Sequence, residues 1–196
     1  TWRRRNRPST RSLGGEPIMW KTGHSLMKLK MHEVGSPLGG EVSGHLFMGE
    51  DYYGFDDAPL VALRTLEIIA RSGRSISELF EDVPKLVATP EIILSAPDAI
   101  KFAIIDEISA ELAKDYAVFT LDGVRATFED GWVWVCANNT QPAITLRFEA
   151  HTPANLVQNM LKFKALMDKH PEIDQTKFAE LIERFKAMGD SAGSSH

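Results

Sequence analysis

Hydrophobic positions divide this chain into two stretches with different rhythms. In the first, Pro17-Ile18-Met19-Trp20 is a short apolar run that suits a buried strand. Leu26, Met27, Leu29 and Met31 then recur at helical spacing as far as Val34, with Ser25 placed to cap the helix and Gly35 to stop it. Leu38 to Met48 reads as a second strand region, interrupted by a polar loop from Gly40 to His45. Asp51-Tyr52-Tyr53-Gly54 is a turn. Asp56 and Asp57 precede an apolar helix, Leu60 to Ala70, which Gly73 ends, so capping and dipole compensation are their expected roles. Ser75 caps a short helix, Ile76 to Phe80. The pattern predicts a partial α/β domain with a parallel-type sheet, and ligand groups at the carboxyl end of its strands.

Pro84 to Pro90 reads as a linker, and the rhythm changes beyond it. Glu91 to Ser95 is a strand, and Pro97-Asp98 opens a helix carrying Phe102, Ile104, Ile105, Ile108 and Leu112 on its apolar side. Ala117 to Leu121, Val124 to Phe128 and Trp132 to Ala137 follow at hairpin spacing, joined by Asp122-Gly123 and Asp130-Gly131. The turn Asn138 to Pro142 leads to a further strand, Ala143 to Ala150. Helices are expected over Ala154 to Lys169 and Thr176 to Met188. This half predicts an α+β domain, with a mostly antiparallel four-stranded sheet and helices on one face. The resulting division is 1–12 as an irregular basic N-terminus, 13–88 and 89–170 as the two domains, and 171–196 as an extra helix and polar tail.

Composition narrows the possible functions. The chain has 196 residues, 43% hydrophobic and 25% charged, the balance of a soluble globular protein. A net charge of −5 argues against nucleic acid as the main partner. A single cysteine, Cys136, excludes an internal disulfide and fits a reducing compartment, so a cytoplasmic location is expected. No apolar run reaches the roughly 20 residues that span a bilayer, so no membrane partner is expected. The basic N-terminus has no apolar segment after it and does not read as a secretory signal.

The candidate chemistry lies in Gly40-Glu41-Val42-Ser43-Gly44-His45. Glu41 accepts hydrogen bonds, Ser43 donates and accepts, and His45 does either. A polyol needs that mixture, because every sugar hydroxyl both donates and accepts. Lys21 and His24 lie on the loop ahead of the first helix, within the range of a ligand held there. A metal site on His24 and His45 lacks a third ligand at clear spacing, so no metal site is predicted.

Several motifs, in this order, resemble the α-D-phosphohexomutases of the phosphomannomutase/phosphoglucomutase type. They are Gly14-Gly15-Glu16-Pro17, Trp20-Lys21-Thr22-Gly23-His24-Ser25, the Gly40 to His45 loop, and Gly54-Phe55-Asp56-Asp57. Further on come Leu121-Asp122-Gly123-Val124-Arg125, Gly131-Trp132, Asn139-Thr140-Gln141-Pro142 and Leu146 to Ala150. The resemblance covers roughly residues 13 to 168 and implies part of the family's third domain followed by its fourth. The family is an isomerase class that moves a phosphoryl group between O1 and O6 of a hexose phosphate, in carbohydrate metabolism. It uses a phosphoserine and a magnesium ion held in other domains. Neither the phosphoserine segment nor an Asp-Gly-Asp magnesium loop occurs in this sequence. The implied partners are therefore a hexose phosphate and the family's N-terminal domains. No cofactor is expected on this chain, and the chain alone is expected to be inactive.

By the same resemblance, Glu41 and Ser43 bind the sugar's O3 and O4 hydroxyls. Lys21 and His24 contact substrate, and His45 is a candidate proton shuttle. Asn138, Asn139 and Thr140 form the phosphate turn. There the family carries Arg-x-Ser-Asn-Thr, whereas this chain has Cys136 in place of the arginine and Asn138 in place of the serine. The change removes a bidentate guanidinium from the turn. It leaves a second reading open: a non-catalytic remnant or accessory module that binds sugar phosphates or a protein partner.

Overall fold

The computed structural model describes residues 14–41, 43–81, 83–139 and 141–193. The basic segment 1–12 and Thr140 lie outside the described residues. The chain separates into two compact units, with the division between Pro84 and Lys85.

In the first unit, helix α1 (His24–Val34) precedes strands β1 (Leu38–Gly40) and β2 (Leu46–Met48), then helices α2 (Ala58–Ser72) and α3 (Ile76–Leu79). The helix ends follow from local chemistry. Asp57 caps α2 by accepting from the Leu60 amide, and Ser75 and Glu78 form a reciprocal capping box on α3. Left-handed Gly35 and Gly73 end α1 and α2. The α1 cap differs from expectation. The Gly23 carbonyl already accepts from Met27, so Gly23 replaces Ser25 as the N-cap and makes no side-chain bond.

Two further expectations fail in this unit. Pro17 to Trp20 forms no strand; among the described residues no ladder runs beside it, and Ile18 stays half exposed. The sheet is also not parallel-type. β1 and β2 form an antiparallel hairpin, with Leu38 opposite Met48 and Gly40 opposite Leu46. A five-residue connection closes two strands of this length locally, whereas a parallel pair needs a long crossover. Phe47 is fully buried beneath the hairpin, and an isolated bridge pairs it with Asp56.

In the second unit, all strand pairs are antiparallel, in the order β3 (Val87–Ala88), β8 (Ala143–Ala150), β7 (Gly131–Ala137), β6 (Val124–Phe128), β5 (Ala117–Phe119). β4 (Ile92–Ser95) also pairs with β8. The sheet therefore has six strands, the four of the β5–β8 meander plus two short edge strands that share one side of β8. Because Val87 pairs with Ala150, this unit takes in residues before the expected boundary at 88. Pro90, which lacks an amide hydrogen, falls between the two edge strands. Buried Thr89 bridges the interruption: its amide donates to the Phe148 carbonyl, and its hydroxyl accepts from the Phe148 amide at 3.0 Å.

Strand alternation puts Val124, Ala126, Val133, Val135, Leu146 and Phe148 on one face, all buried. Helices α4 (Lys101–Asp115) and α5 (Pro153–Met167) cover that face, as expected. Helix α6 (Thr176–Gly193), read from the sequence as an addition beyond the domain, belongs to the core. Phe178 is fully buried and stacks on Phe148 with ring centres 5.5 Å apart. Ile182 and Phe185 follow at helical spacing on the same buried side.

Candidate functional site

The Gly40 to His45 loop is a tight reversal. Its ends are joined by the Glu41 amide donating to the His45 carbonyl at 2.9 Å, while the Gly44 amide donates to the Glu41 carbonyl at 3.0 Å. Gly44 sits at φ 95°, a backbone region that side chains other than hydrogen occupy only under strain. The reversal sets the side chains of Glu41, Ser43 and His45 on one short loop.

Glu41 also links that loop to the start of α1. One carboxylate oxygen accepts from the Gly23 amide at 2.8 Å, an otherwise unsatisfied donor at the helix N-terminus. The other accepts from the Ser43 hydroxyl at 3.1 Å. The bond to Gly23 brings the next residue, His24, to the loop. The His24 and His45 ring centres lie 4.4 Å apart, and His24 also packs edge-on against buried Phe47 at 5.4 Å. Of the five substrate and proton-transfer residues expected from the sequence, His24, Glu41, Ser43 and His45 are thus gathered in one place. Lys21 lies two residues before Gly23 and is exposed.

Asp56 completes the group, although the sequence pointed chiefly to capping and dipole compensation at the helix that follows it. His45 Nδ1 donates to Asp56 Oδ2 at 2.6 Å, and the Leu46 amide donates to Asp56 Oδ1 at 3.3 Å. The hydrogen bond from His45, helped by that amide, holds the Asp56 carboxyl below the ordinary carboxylate range despite some desolvation. Asp57 alone caps α2. Its second oxygen accepts from the Tyr52 hydroxyl, and this bond, with the Leu60 amide, lowers the Asp57 carboxyl as well. The bridge between Phe47 and Asp56 is what aligns Asp56 with the loop, a tertiary pairing that no local motif announces.

In the second unit, the turn after β7 holds Asn138 and Asn139. Asn138 serves the turn itself: its amide donates to the Ala143 carbonyl at 2.9 Å, and its side-chain oxygen accepts from the Gln141 amide at 3.1 Å. Asn139 is exposed. Beneath the turn lies Lys101, a buried lysine that sequence reasoning missed. Its ammonium donates to the Asn138 carbonyl, to the Gln141 carbonyl at 2.9 Å and to Asp98 at 2.6 Å. Three donors meet three acceptors, so the charge is buried fully partnered.

Cys136 sits on the opposite sheet face from buried Val133 and Val135 and pairs with Thr145. Burial pushes its thiol up to about 11, aided by the carboxylates of Asp122 and Glu91. At neutral pH it is a protonated, weakly nucleophilic thiol.

Comparison with known proteins identifies relatives of the chain. Residues 8–87 match the family model described as phosphoglucomutase/phosphomannomutase, alpha/beta/alpha domain III. A phosphomannomutase/phosphoglucomutase of Pseudomonas syringae pv. tomato is 42% identical over 173 residues, 87% of this chain and 37% of that protein. A phosphoglucomutase of Neisseria gonorrhoeae is 38% identical over 169 residues, 85% of this chain and 36% of that protein. Among solved structures, a phosphoglucomutase/phosphomannomutase family protein from Burkholderia thailandensis superposes with a TM-score of 0.71 at 40% identity, over 81% of this chain and 34% of that one. The fold is that of the phosphoglucomutase/phosphomannomutase family. The chain belongs to the α-D-phosphohexomutase family, of the phosphomannomutase/phosphoglucomutase type, and corresponds to its C-terminal portion. It spans a little over a third of the length of these curated relatives.

Proposed function

We propose that this chain supplies sugar and phosphate recognition for phosphoryl transfer between O1 and O6 of a hexose phosphate, and does not turn over substrate alone. The observation that carries this reading is Glu41, fixed between the Gly23 amide and the Ser43 hydroxyl and set beside two histidines. A carboxylate and a hydroxyl in a fixed relation suit two neighbouring sugar hydroxyls. They are also contacts that a bisphosphorylated intermediate can make in either of two flipped orientations. Positioning of this kind is the main protein contribution to phosphoryl transfer.

His45 is the proton-transfer candidate. Asp56 occupies its Nδ1–H, which fixes the tautomer and leaves the lone pair of Nε2 to accept a proton from a substrate hydroxyl. The phosphate contact falls to the turn that Lys101 braces, with Asn139 exposed at its tip. Magnesium would be held elsewhere in the enzyme. The donor group on this chain combines two imidazoles with one carboxylate, a poor match to an ion that prefers oxygen ligands. A reducing compartment such as the cytoplasm suits the single protonated cysteine.

Cys136 favours a second reading, an accessory binding module without turnover, because the turn lacks the guanidinium found in the family's pattern. Calorimetric titration with glucose 1-phosphate in EDTA tests the main proposal. Binding is expected, with Glu41→Ala and Ser43→Ala each weakening it about tenfold or more, as loss of a hydrogen bond involving a charged group implies. No conversion to glucose 6-phosphate is expected from the pure chain. Turnover by the chain alone, or affinity unchanged in both variants, would overturn it.

A further inference from the structure

His24, His45 and Asp56 come from three separate places: the first turn of α1, the end of the polar loop and the segment before α2. Each offers one ligand atom, and these atoms lie within 4.8 Å of one another. Recognition of sugar hydroxyls explains Glu41 and Ser43, but it does not require two imidazoles and a carboxylate to converge.

We propose that His24, His45 and Asp56 form a binding site for one divalent transition-metal ion of the zinc class, with the remaining coordination position open to solvent. Two imidazole nitrogens and one carboxylate oxygen are a donor set that zinc accepts readily. Zinc bonds of about 2.0–2.2 Å place tetrahedral ligand atoms about 3.3 Å apart. The His45–Asp56 pair, at 2.6 Å, has to open by about 0.7 Å, and the other pairs, all within 4.8 Å, have to close by no more than about 1.5 Å. His24 is exposed and its ring can swing to do so, whereas Asp56 is steadied by the Leu46 amide on its other oxygen. Such a bond to a ligating carboxylate is the usual support behind a metal ligand.

The neighbouring acids do not join the set. Among the described residues the converging ligand atoms are those of His24, His45 and Asp56, whereas Asp57 caps α2 and holds the Tyr52 hydroxyl, and Glu41 ties the loop to the Gly23 amide. Three protein ligands are left with one open position, the arrangement in which an outside ligand completes the shell. Zinc bound there takes His45 out of proton transfer. The site stands whether or not the loop also binds a sugar.

The test is zinc titration of the full chain, stripped with EDTA and exchanged into chelator-free buffer, against a competing chromophoric chelator and without sugar. One equivalent is expected to bind in the micromolar range or tighter. His24→Ala and Asp56→Asn are each expected to weaken binding about tenfold or more. His32→Ala, an exposed histidine at the other end of α1, should leave it unchanged. Circular dichroism checks the fold of each variant. If Asp56→Asn unfolds, His24→Ala decides, together with loss of the visible absorption of the cobalt-loaded chain. Parent-like zinc affinity in His24→Ala, or no equivalent bound tighter than millimolar, overturns the proposal. Because sugar binding is measured in EDTA and zinc binding without sugar, failure of one leaves the other standing.

Discussion

Replacing Lys101 with methionine removes the ammonium while keeping most of the side chain's length and apolar stem. The lysine side chain is only 5% exposed, and its three donors hold Asn138, Gln141 and Asp98. The Asp98 contact adds little, because that carboxylate is 69% exposed and water replaces the ammonium there. The two turn carbonyls differ, since each loses a charge-assisted bond in a partly buried setting. Such bonds contribute about 1.5–3 kcal/mol each, and two on one donor are not additive, so a total of about 2–4 kcal/mol is expected. Methionine recovers part of this by removing the cost of burying a charge. The expected net loss is about 2–3 kcal/mol, or roughly 10 °C or more in Tm for a unit of about 110 residues. Thermal unfolding followed by far-ultraviolet circular dichroism measures it, with Lys114→Met as the exposed control. If Lys101 braces the phosphate turn, affinity for glucose 1-phosphate should also fall at temperatures where the variant is fully folded. A Tm change no larger than the control's would refute the brace.

Phe178→Ala should destabilise the second unit by about 3–5 kcal/mol, the usual cost of a fully buried phenylalanine, measurable by urea unfolding; a loss below about 1 kcal/mol would mean α6 is an appendage. Cys136→Arg restores a guanidinium beside the turn and should tighten glucose 1-phosphate binding up to about tenfold by calorimetry, with added salt reducing the gain. The carboxylates of Asp122 and Glu91 compete for the new charge, and a lowered Tm without gained affinity would show that the position serves only the sheet. Folding lowers the carboxyls of Asp56 and Asp57, so the unfolded chain takes up their protons first. Their stabilisation is complete above about pH 5 and is lost as the pH falls through and below the ordinary carboxylate value of about 3.9. Hydrogen exchange in α2 between pH 6 and pH 3 should show that loss, and Asp57→Asn should flatten the profile.

The features that were legible in the sequence are those fixed by near neighbours. Asp57 caps α2 from three residues away, Ser75 and Glu78 close a box within four residues, and the Asp-Gly turns join adjacent strands. The loop residues Glu41, Ser43 and His45 were legible for the same reason. Features that depend on distant partners were not. Lys101 finds its carbonyls 37 and 40 residues on, and nothing around it in sequence marks it as buried. Asp56 looked like a second capping residue until its bridge to Phe47 set it against His45. Pro17 to Trp20 has the composition of a strand, but composition supplies no ladder.

The double occupancy of one side of β8 bears on how the second unit comes together during synthesis. Val87 and Ile92 leave the ribosome well before their partners, Ala150 and Leu146, which lie 63 and 54 residues later. The β5–β6–β7 meander can pair as it emerges, because its turns are local. β3 and β4 must wait with unpaired edges until β8 has been made. Closing contacts of such long range is slow and leaves apolar strand surface open meanwhile. Slowing the emergence of the chain between Phe128 and Ala143 would therefore prolong the vulnerable interval, whereas a pause once Ala150 has left the ribosome would fall when the strands of this sheet already have their neighbours.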